Sequence, residues 1–185
     1  ETHYEYAKYM LNNKKHVLCE KPAVLKKAQA EELYSLAKEN NVVFMEAVKT
    51  AYCPGFHAMM AAAKSGKIGR IIDVEAAFSR LTPVNTREYM AQDYNGSFLE
   101  FGSYVCMPVF ELLGCDYDDV RFHSMRAVNG VDAYTKAVFS FGGKSAEVKT
   151  GLGVKTEGQL LISGTNGYIL AKSPWWLTKE FEIRY

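Results

Sequence analysis

The chain has 185 residues, with 22 basic and 21 acidic side chains and a net charge of +1. Hydrophobic residues make up 48% and charged residues 23%, which is typical of globular domains and excludes a disordered tail, a collagen-like repeat or a coiled coil. The near-zero charge argues against nucleic-acid binding. No apolar run approaches the roughly 18 residues that cross a bilayer, and no signal peptide opens the chain, so we expect a cytoplasmic protein without a membrane partner.

The first 50 residues alternate between helical and strand patterns. Apolar residues recur at helical spacing in 3–14 and 25–37, and an Asn-Asn pair is expected to end the second helix. Short apolar runs at 16–19 and 42–45 predict buried strands. Apolar strands that alternate with amphipathic helices indicate crossover units and a parallel sheet, which is an α/β arrangement.

The pattern changes after residue 50. Helices are predicted at 55–64 and 97–113, a strand at 71–78 and a long loop at 79–94. From Val120 onward, strands are separated by dipeptides that supply the positive φ of two-residue hairpins. These dipeptides are Asn129-Gly130, Gly142-Gly143 and Asn166-Gly167. We therefore expect α/β followed by α+β, the second part being an open, mostly antiparallel sheet with helices on one face.

Glu20, Lys21 and Pro22 directly follow the first predicted strand. In open α/β sheets, ligands bind outside the carboxyl ends of the strands, so this position suits a site. Pro22 fixes its own φ and biases Lys21 to extended geometry, which gives the ammonium group a defined direction. A lysine there can polarise a carbonyl or hydroxyl group. The alternative is a polar strand end that enters a helix.

Glu100 and Tyr104 form a second candidate pair on the predicted helix 97–113. They are four residues apart and are therefore neighbours on the helix surface. Gly102 lies between them and would leave that surface low enough for a ligand to approach. Pro108 cannot donate to the Tyr104 carbonyl and should bend the helix. The alternative is a surface pair on an imperfect helix.

Other chemistry has weaker support. The four cysteines form no CxxC pair and the four histidines lack ligand spacing, so we expect no metal site and four free thiols in a reducing cytosol. Arg80 and Arg87, around the long loop, could meet an anionic or polar substrate, although solvated loop charges are the simpler interpretation. Trp175 and Trp176 are expected in the core or an interface.

Five motifs stand in order along the chain. They are residues 16–22 (HVLCEKP), 43–47 (VFMEA, followed by Pro54), 65–69 (SGKIG), 96–104 (GSFLEFGSY) and 164–167 (GTNG). Together they resemble the Gfo/Idh/MocA oxidoreductase family, the NAD(P)-dependent sugar and polyol dehydrogenases. The resemblance covers nearly the whole chain.

The resemblance implies two domains. Residues 1–50 would be the C-terminal part of a Rossmann-like NAD(P)-binding domain, and residues 51–185 an α+β substrate-binding and oligomerisation domain that is truncated at its C-terminus. The family's phosphate-binding GxGxxG motif should precede the EKP motif by more than the 19 residues present here. Because a βαβ unit takes about 30 residues, we expect roughly 70 further residues before Glu1. The isolated chain should then be inactive and bind the cofactor poorly.

The resemblance also assigns roles to the candidate residues. Lys21 would hydrogen-bond the reacting hydroxyl, and Glu20, with Lys21 and Pro22, would lie at the cofactor near the nicotinamide ribose. Tyr104 stands where most members carry a histidine that donates or accepts the proton, and some carry a tyrosine. A phenol has a pKa of ~10 against ~6.5 for imidazole, so Tyr104 would need Lys21 nearby to act as a base. Glu100 replaces the usual aspartate, a third catalytic candidate.

The implied function is hydride transfer between NAD or NADP and a sugar or cyclic polyol. The intact protein would be a homo-oligomer that associates through the open face of the antiparallel sheet. Two alternatives remain open: a non-catalytic sensor or regulator with the same fold, and a stand-alone dimerisation module without a cofactor.

Overall fold

The computed structural model describes residues 2–90 and 94–185. The chain forms two compact units, with the boundary between Lys49 and Thr50. Part of the loop predicted at 79–94 lies outside these described residues. Within the described ranges, no helix is both long and apolar enough to cross a membrane.

The first unit pairs two helices with a two-stranded parallel sheet. Its elements are α1 (His3–Asn12), β1 (Val17–Cys19), α2 (Lys27–Glu39) and β2 (Phe44–Glu46). Leu11, Leu33 and Phe44 belong to one buried cluster, because each helix presents its apolar residues on a single face. Cys19 pairs with Glu46 at the end of the parallel register. Both strands therefore end at the same edge of the sheet, and the α/β prediction is confirmed.

The Asn-Asn pair ends α2 as predicted. Asn41 takes a left-handed φ of 52°, a conformation that asparagine tolerates better than most residues. The backbone then reverses, and the amide of Val42 donates to the carbonyl oxygen of Ala37 at 2.9 Å. This bond satisfies one of the carbonyls that the helix end leaves without a partner.

The second unit is a seven-stranded mixed sheet with helices. Its helices are α3 (Pro54–Lys64), α4 (Arg87–Met90) and α5 (Ser97–Leu113), with 3₁₀ turns at Lys49–Tyr52, which spans the boundary, and Trp175–Leu177. Its strands are β3 (Ile71–Ser79), β4 (Asp119–Arg126), β5 (Asp132–Phe141), β6 (Lys144–Gly151), β7 (Leu160–Gly164), β8 (Gly167–Ala171) and β9 (Glu182–Arg184). The strand order is β4-β5-β6-β3-β7-β8-β9, and only β3 and β6 pair in parallel.

The two faces of the sheet differ in burial. Along β5, Ala137 and Phe139 are buried, and the Phe139 ring meets Phe110 of α5 at 5.6 Å. The alternate residues Lys136 and Val138 point to the opposite face and are only half-buried. Period-two alternation of this kind is typical of a sheet that has helices on one side. The α+β prediction is therefore confirmed.

One hairpin forms for a different reason from the predicted one. Gly142 and Gly143 both have positive φ and connect β5 to β6, as expected. The turn between β7 and β8 consists of Thr165 and Asn166, neither of which has positive φ. Gly167 instead opens β8, where an added Cβ would lie 2.3 Å from the Arg184 carbonyl oxygen. A close approach to β9, rather than turn geometry, accounts for that glycine.

Two of the five sequence motifs lie against each other in the second unit. The amides of Thr165 and Asn166 donate to the carbonyl oxygens of Arg70 and Ile68, each at 3.0 Å. Gly69 has a φ of +75°, and an added Cβ there would meet the Thr165 hydroxyl at 2.2 Å. The SGKIG and GTNG motifs are therefore explained by packing of one turn on another.

Candidate functional site

The Glu20-Lys21-Pro22 segment lies at the edge of the first unit where both parallel strands end. It follows β1 directly, and Glu46 is the last residue of β2. Glu20 is exposed, whereas Lys21 and Pro22 are half-buried. The Lys21–Pro22 peptide is cis. These three consecutive residues therefore lie at a sheet edge of the kind that binds ligands.

Side chains from α1, β1 and β2 contact the backbone just after Lys21. His3 Nδ1 lies 2.9 Å from the Pro22 carbonyl oxygen. The Ala23 amide donates to Glu46 Oε1 at 3.0 Å. Cys19 Sγ lies 4.0 Å from the Ala23 carbonyl oxygen. Burial, with smaller contributions from the charges of neighbouring carboxylates, raises the pKa of the Cys19 thiol, so it keeps the proton that it donates.

The helix α5 begins with a carboxylate cap supplied by a strand. Asp132 Oδ2 of β5 accepts hydrogen bonds from Ser97 Oγ at 2.6 Å, the Phe98 amide at 2.9 Å and Thr135 Oγ1 at 2.8 Å. Gly96 precedes the helix with a φ of 121°, and an added Cβ would lie 1.8 Å from Asp132 Oδ1. Asp132 therefore fixes where α5 starts and requires glycine before it.

Glu100 and Tyr104 lie one turn apart on α5 and both have partners. Glu100 is half-buried, and Tyr104 is only 8% exposed. Gly102 does not leave an open surface as predicted: it is buried, and an added Cβ would meet the Phe98 ring at 3.2 Å. The helix runs without a break through Pro108.

Tyr104 lies beside a stack of aromatic rings. Its ring meets the edge of Phe78 at 5.3 Å, and Phe78 stacks between Phe101 at 4.3 Å and Trp176 at 3.7 Å. Trp175 is fully buried and its indole nitrogen donates to a backbone carbonyl oxygen at 2.8 Å, so it is a core residue. The Tyr104 ring thus packs against this aromatic stack through Phe78.

Of the two loop arginines, Arg80 is paired within the second unit and Arg87 is exposed. Arg80 pairs with Glu88 at 2.9 Å, and its guanidinium lies 5.9 Å from the centre of the Phe101 ring. The carbonyl oxygen of Arg87 accepts a hydrogen bond from the Asn95 side chain at 2.5 Å. The short helix α4 lies within the segment that was predicted to be a loop. It was not predicted, because a single helical turn is too short to show a periodic pattern.

Among residues 2–90 and 94–185, no group of three or more His, Cys, Asp or Glu side chains could hold a metal ion. All four cysteines are free. Burial raises the pKa of Cys106 on α5 to about 12, so this thiol is not a nucleophile at neutral pH.

Sequence reasoning missed three residues that hold the candidate groups in place, namely His3, Glu46 and Asp132. Glu46 could have been identified from the sequence. It lies at the end of the second predicted parallel strand, and the ends of parallel strands lie at the same sheet edge as the EKP segment. For His3 and Asp132 the partner is far along the chain, and no local pattern identifies it.

Comparison with known proteins identifies the class. Residues 1–48 match the model of an oxidoreductase family with an NAD-binding Rossmann fold, and residues 56–170 match the GFO/IDH/MocA C-terminal domain. The chain belongs to the Gfo/Idh/MocA family of oxidoreductases. The predicted cofactor, NAD or NADP, agrees with this assignment.

Named relatives include two dehydrogenases. The scyllo-inositol 2-dehydrogenase (NADP(+)) IolU of Bacillus subtilis (strain 168) is 33% identical over 154 residues, which cover 78% of this chain and 45% of that protein. The trans-1,2-dihydrobenzene-1,2-diol dehydrogenase of Bos taurus is 26% identical over 174 residues, covering 92% and 51%. The crystal structure of an oxidoreductase from Bacillus cereus matches with a TM-score of 0.79 at 27% identity, covering 94% and 52%. The chain thus spans about half the length of these relatives.

Proposed function

We propose that the complete protein is an NAD(P)-dependent dehydrogenase that moves a hydride between nicotinamide and the CH–OH carbon of a sugar or cyclic polyol. The observation that carries the proposal is the position of Lys21, two residues after the end of a parallel strand in the segment that matches an NAD-binding fold. Relatives named for an inositol and for a cyclic diol support a polyol substrate.

The residues at the sheet edge suit the nicotinamide end of the cofactor. Glu20 is exposed and Lys21 is half-buried, so a ribose hydroxyl can reach both a carboxylate and an ammonium group. Pro22 shapes the same edge. The 185 residues contain no GxGxxG loop for the pyrophosphate, so this chain supplies one end of the site only. When bound, the nicotinamide ring supplies hydride acceptance or donation.

The chain's own residues handle the proton. In the oxidation direction a bound nicotinamide would accept the hydride from the carbinol carbon, and the hydroxyl proton would have to leave as the carbinol becomes a carbonyl. We assign to Lys21 a hydrogen bond to the substrate, and to Tyr104 the uptake or return of a proton. Glu100 accepts a hydrogen bond from a second substrate hydroxyl. The burial of Tyr104 and its contact with Phe78 support this role, because they limit the motion of the phenol.

We assign a different function to each of the two units. We assign residues 1–50 to cofactor binding and residues 51–185 to substrate binding and oligomerisation, with a second copy on the open face of the sheet. The half-buried Val138 and a row of paired charges on that face support the interface: Lys136 and Lys149 contact Glu147 at 2.5 and 2.6 Å. We place the protein in the cytoplasm, where its four thiols would stay reduced.

The test is turnover by the complete protein, followed as reduced nicotinamide with scyllo-inositol or trans-1,2-dihydrobenzene-1,2-diol and either NAD⁺ or NADP⁺. Lys21→Ala and Tyr104→Phe should each lower kcat about 10²–10⁴-fold, the range for a removed proton-transfer group. Lys27→Ala is the matched control, since that lysine is exposed on α2 and pairs only loosely with Glu31 at 3.6 Å.

The same assay separates the alternatives. Unchanged turnover in Lys21→Ala would contradict the catalytic assignment. Cofactor binding without turnover of any polyol would favour a sensor with the same fold. The isolated 185-residue chain should be inactive, since it holds only one end of the cofactor site.

A further inference from the structure

We propose that Glu46 is the positioning residue for Lys21. The proposal rests on the catalytic role of Lys21 given above and adds how its side chain is aimed. Glu46 ends β2, and its carboxylate reaches across the strand ends to the backbone that follows Lys21. It acts on the lysine through that backbone.

The hydrogen bond from Ala23 to Glu46 is the central contact. Ala23 is only 7% exposed, so its amide has little access to water. A buried amide without a partner is costly, and Glu46 Oε1 accepts from it at 3.0 Å. A charged acceptor makes this a strong bond. The path of the chain directly after Lys21 therefore depends on where the Glu46 carboxylate lies.

The backbone before Lys21 is tied to the same residue of β2. Cys19 pairs with Glu46 in the parallel register, and the carbonyl oxygen of Cys19 accepts from the Ala47 amide at 2.7 Å. Contacts to the end of β2 thus lie on both sides of Lys21. Together they restrain the backbone on either side of Lys21 and so limit the direction in which its side chain leaves the chain.

His3 supports the same turn from a second direction. A carbonyl oxygen can only accept, so the Nδ1 atom that lies 2.9 Å from the Pro22 oxygen must carry the proton and donate. His3 is on α1 and Glu46 is on β2, so the two side chains hold adjacent residues of the turn from different elements.

Loss of this positioning should lower the rate of catalysis strongly. Misplacement of a reacting group by about 1 Å can lower the rate about 10²-fold. Glu46→Leu keeps a similar volume and removes the acceptor, whereas Glu46→Gln keeps an acceptor oxygen. We expect Glu46→Leu to lower kcat about 10–100-fold with KM for the substrate changed less than about threefold. Glu46→Gln should stay within about threefold of the unchanged protein.

The decisive experiment is a double-mutant cycle in the complete protein, with the substrates and cofactors named above. If Glu46 acts through Lys21, Glu46→Leu should have no further effect on kcat once Lys21→Ala is present. A second readout is independent of activity: exchange of the Ala23 amide hydrogen should accelerate in Glu46→Leu and not in Glu46→Gln. Glu32→Leu, which breaks the ion pair of Glu32 with Lys8 at 2.6 Å in the same unit, controls for general damage.

The outcomes distinguish the two levels of the proposal. If Lys21→Ala keeps its turnover, the catalytic assignment is wrong and the positioning role is overturned with it. If Lys21→Ala is impaired while Glu46→Leu turns over normally, only the positioning role is overturned. Losses that multiply in the double mutant, or a Glu32→Leu loss as large as that of Glu46→Leu, would also overturn it, because both indicate a structural effect alone.

Discussion

Removal of the Asp132 carboxylate should destabilise the second unit and shift the helix that carries Glu100 and Tyr104. In Asp132→Ala, the Phe98 amide at the first turn of α5 loses its acceptor. The Ser97 hydroxyl can turn to Thr150, which already lies 2.9 Å away. The Phe98 amide and the buried Thr135 hydroxyl therefore bear most of the loss.

The magnitude follows from two contributions. Loss of the bond from the Phe98 amide, which is the N-cap contact, costs about 0.5–2 kcal/mol. Loss of the bonds from the Ser97 and Thr135 hydroxyls to a charged acceptor costs about 1.5–3 kcal/mol. Asp132 is half-exposed, so water replaces part of what is lost. We expect a decrease of about 3 kcal/mol in the free energy of unfolding, and a melting temperature lowered by roughly 6–12 °C.

Urea and thermal unfolding of the complete protein measure this change. Asp132→Asn keeps an acceptor oxygen and should lose no more than about 1 kcal/mol. Asp119→Ala is the control, since Asp119 is an exposed carboxylate whose surface pair with Arg121 contributes about 0–1 kcal/mol. The reasoning is refuted if Asp132→Ala unfolds like Asp119→Ala, or if Asp132→Asn is as unstable as Asp132→Ala.

Three further predictions concern the second unit. Burial works to raise the pKa of Glu147, but hydrogen bonds from Lys136 and Lys149 outweigh it and hold the pKa below its usual range. The pairing should thus stabilise the fold above about pH 4.3 and lose its effect as pH falls through the lowered pKa, so Glu147→Gln should flatten the acid limb of a stability–pH curve. Gly167→Ala should lower stability by about 1–3 kcal/mol in urea unfolding, because its Cβ would overlap a carbonyl oxygen of β9. Trp175→Phe should lower it by about 1–3 kcal/mol, because a buried carbonyl oxygen loses its donor, and unchanged unfolding curves would contradict either expectation.

Local pattern was enough to predict most of the elements. The bounds of α5 were predicted at Ser97 and Leu113, since the apolar period stops at both ends. The C-terminal end of α2 was marked by two asparagines, one of which has a left-handed backbone conformation. The sheet edge with Lys21 was also predicted from local pattern, because two apolar runs indicated parallel strands and parallel strands end at the same edge of a sheet.

Long-range contacts were not predictable in the same way. Asp132 caps α5 from 34 residues along the chain, and nothing in its neighbourhood marks it as a cap. The role of Gly167 was misread as turn geometry, because an Asn-Gly pair carries the same local signal whether it forms a turn or makes room for another strand. The space at Gly102 was expected to be open, and only the path of the helix shows that Phe98 fills it.

The central position of β3 has a consequence for synthesis of the chain. This strand needs β6 on one side and β7 on the other, and both are made well after it: the Asp73–Ser145 contact alone spans 72 residues. Until β7 leaves the ribosome, β3 has at least one edge of unpaired backbone groups. A stalled chain that ends before Leu160 would therefore expose a strand edge prone to aggregation, and would be a substrate for chaperones rather than a partly folded domain.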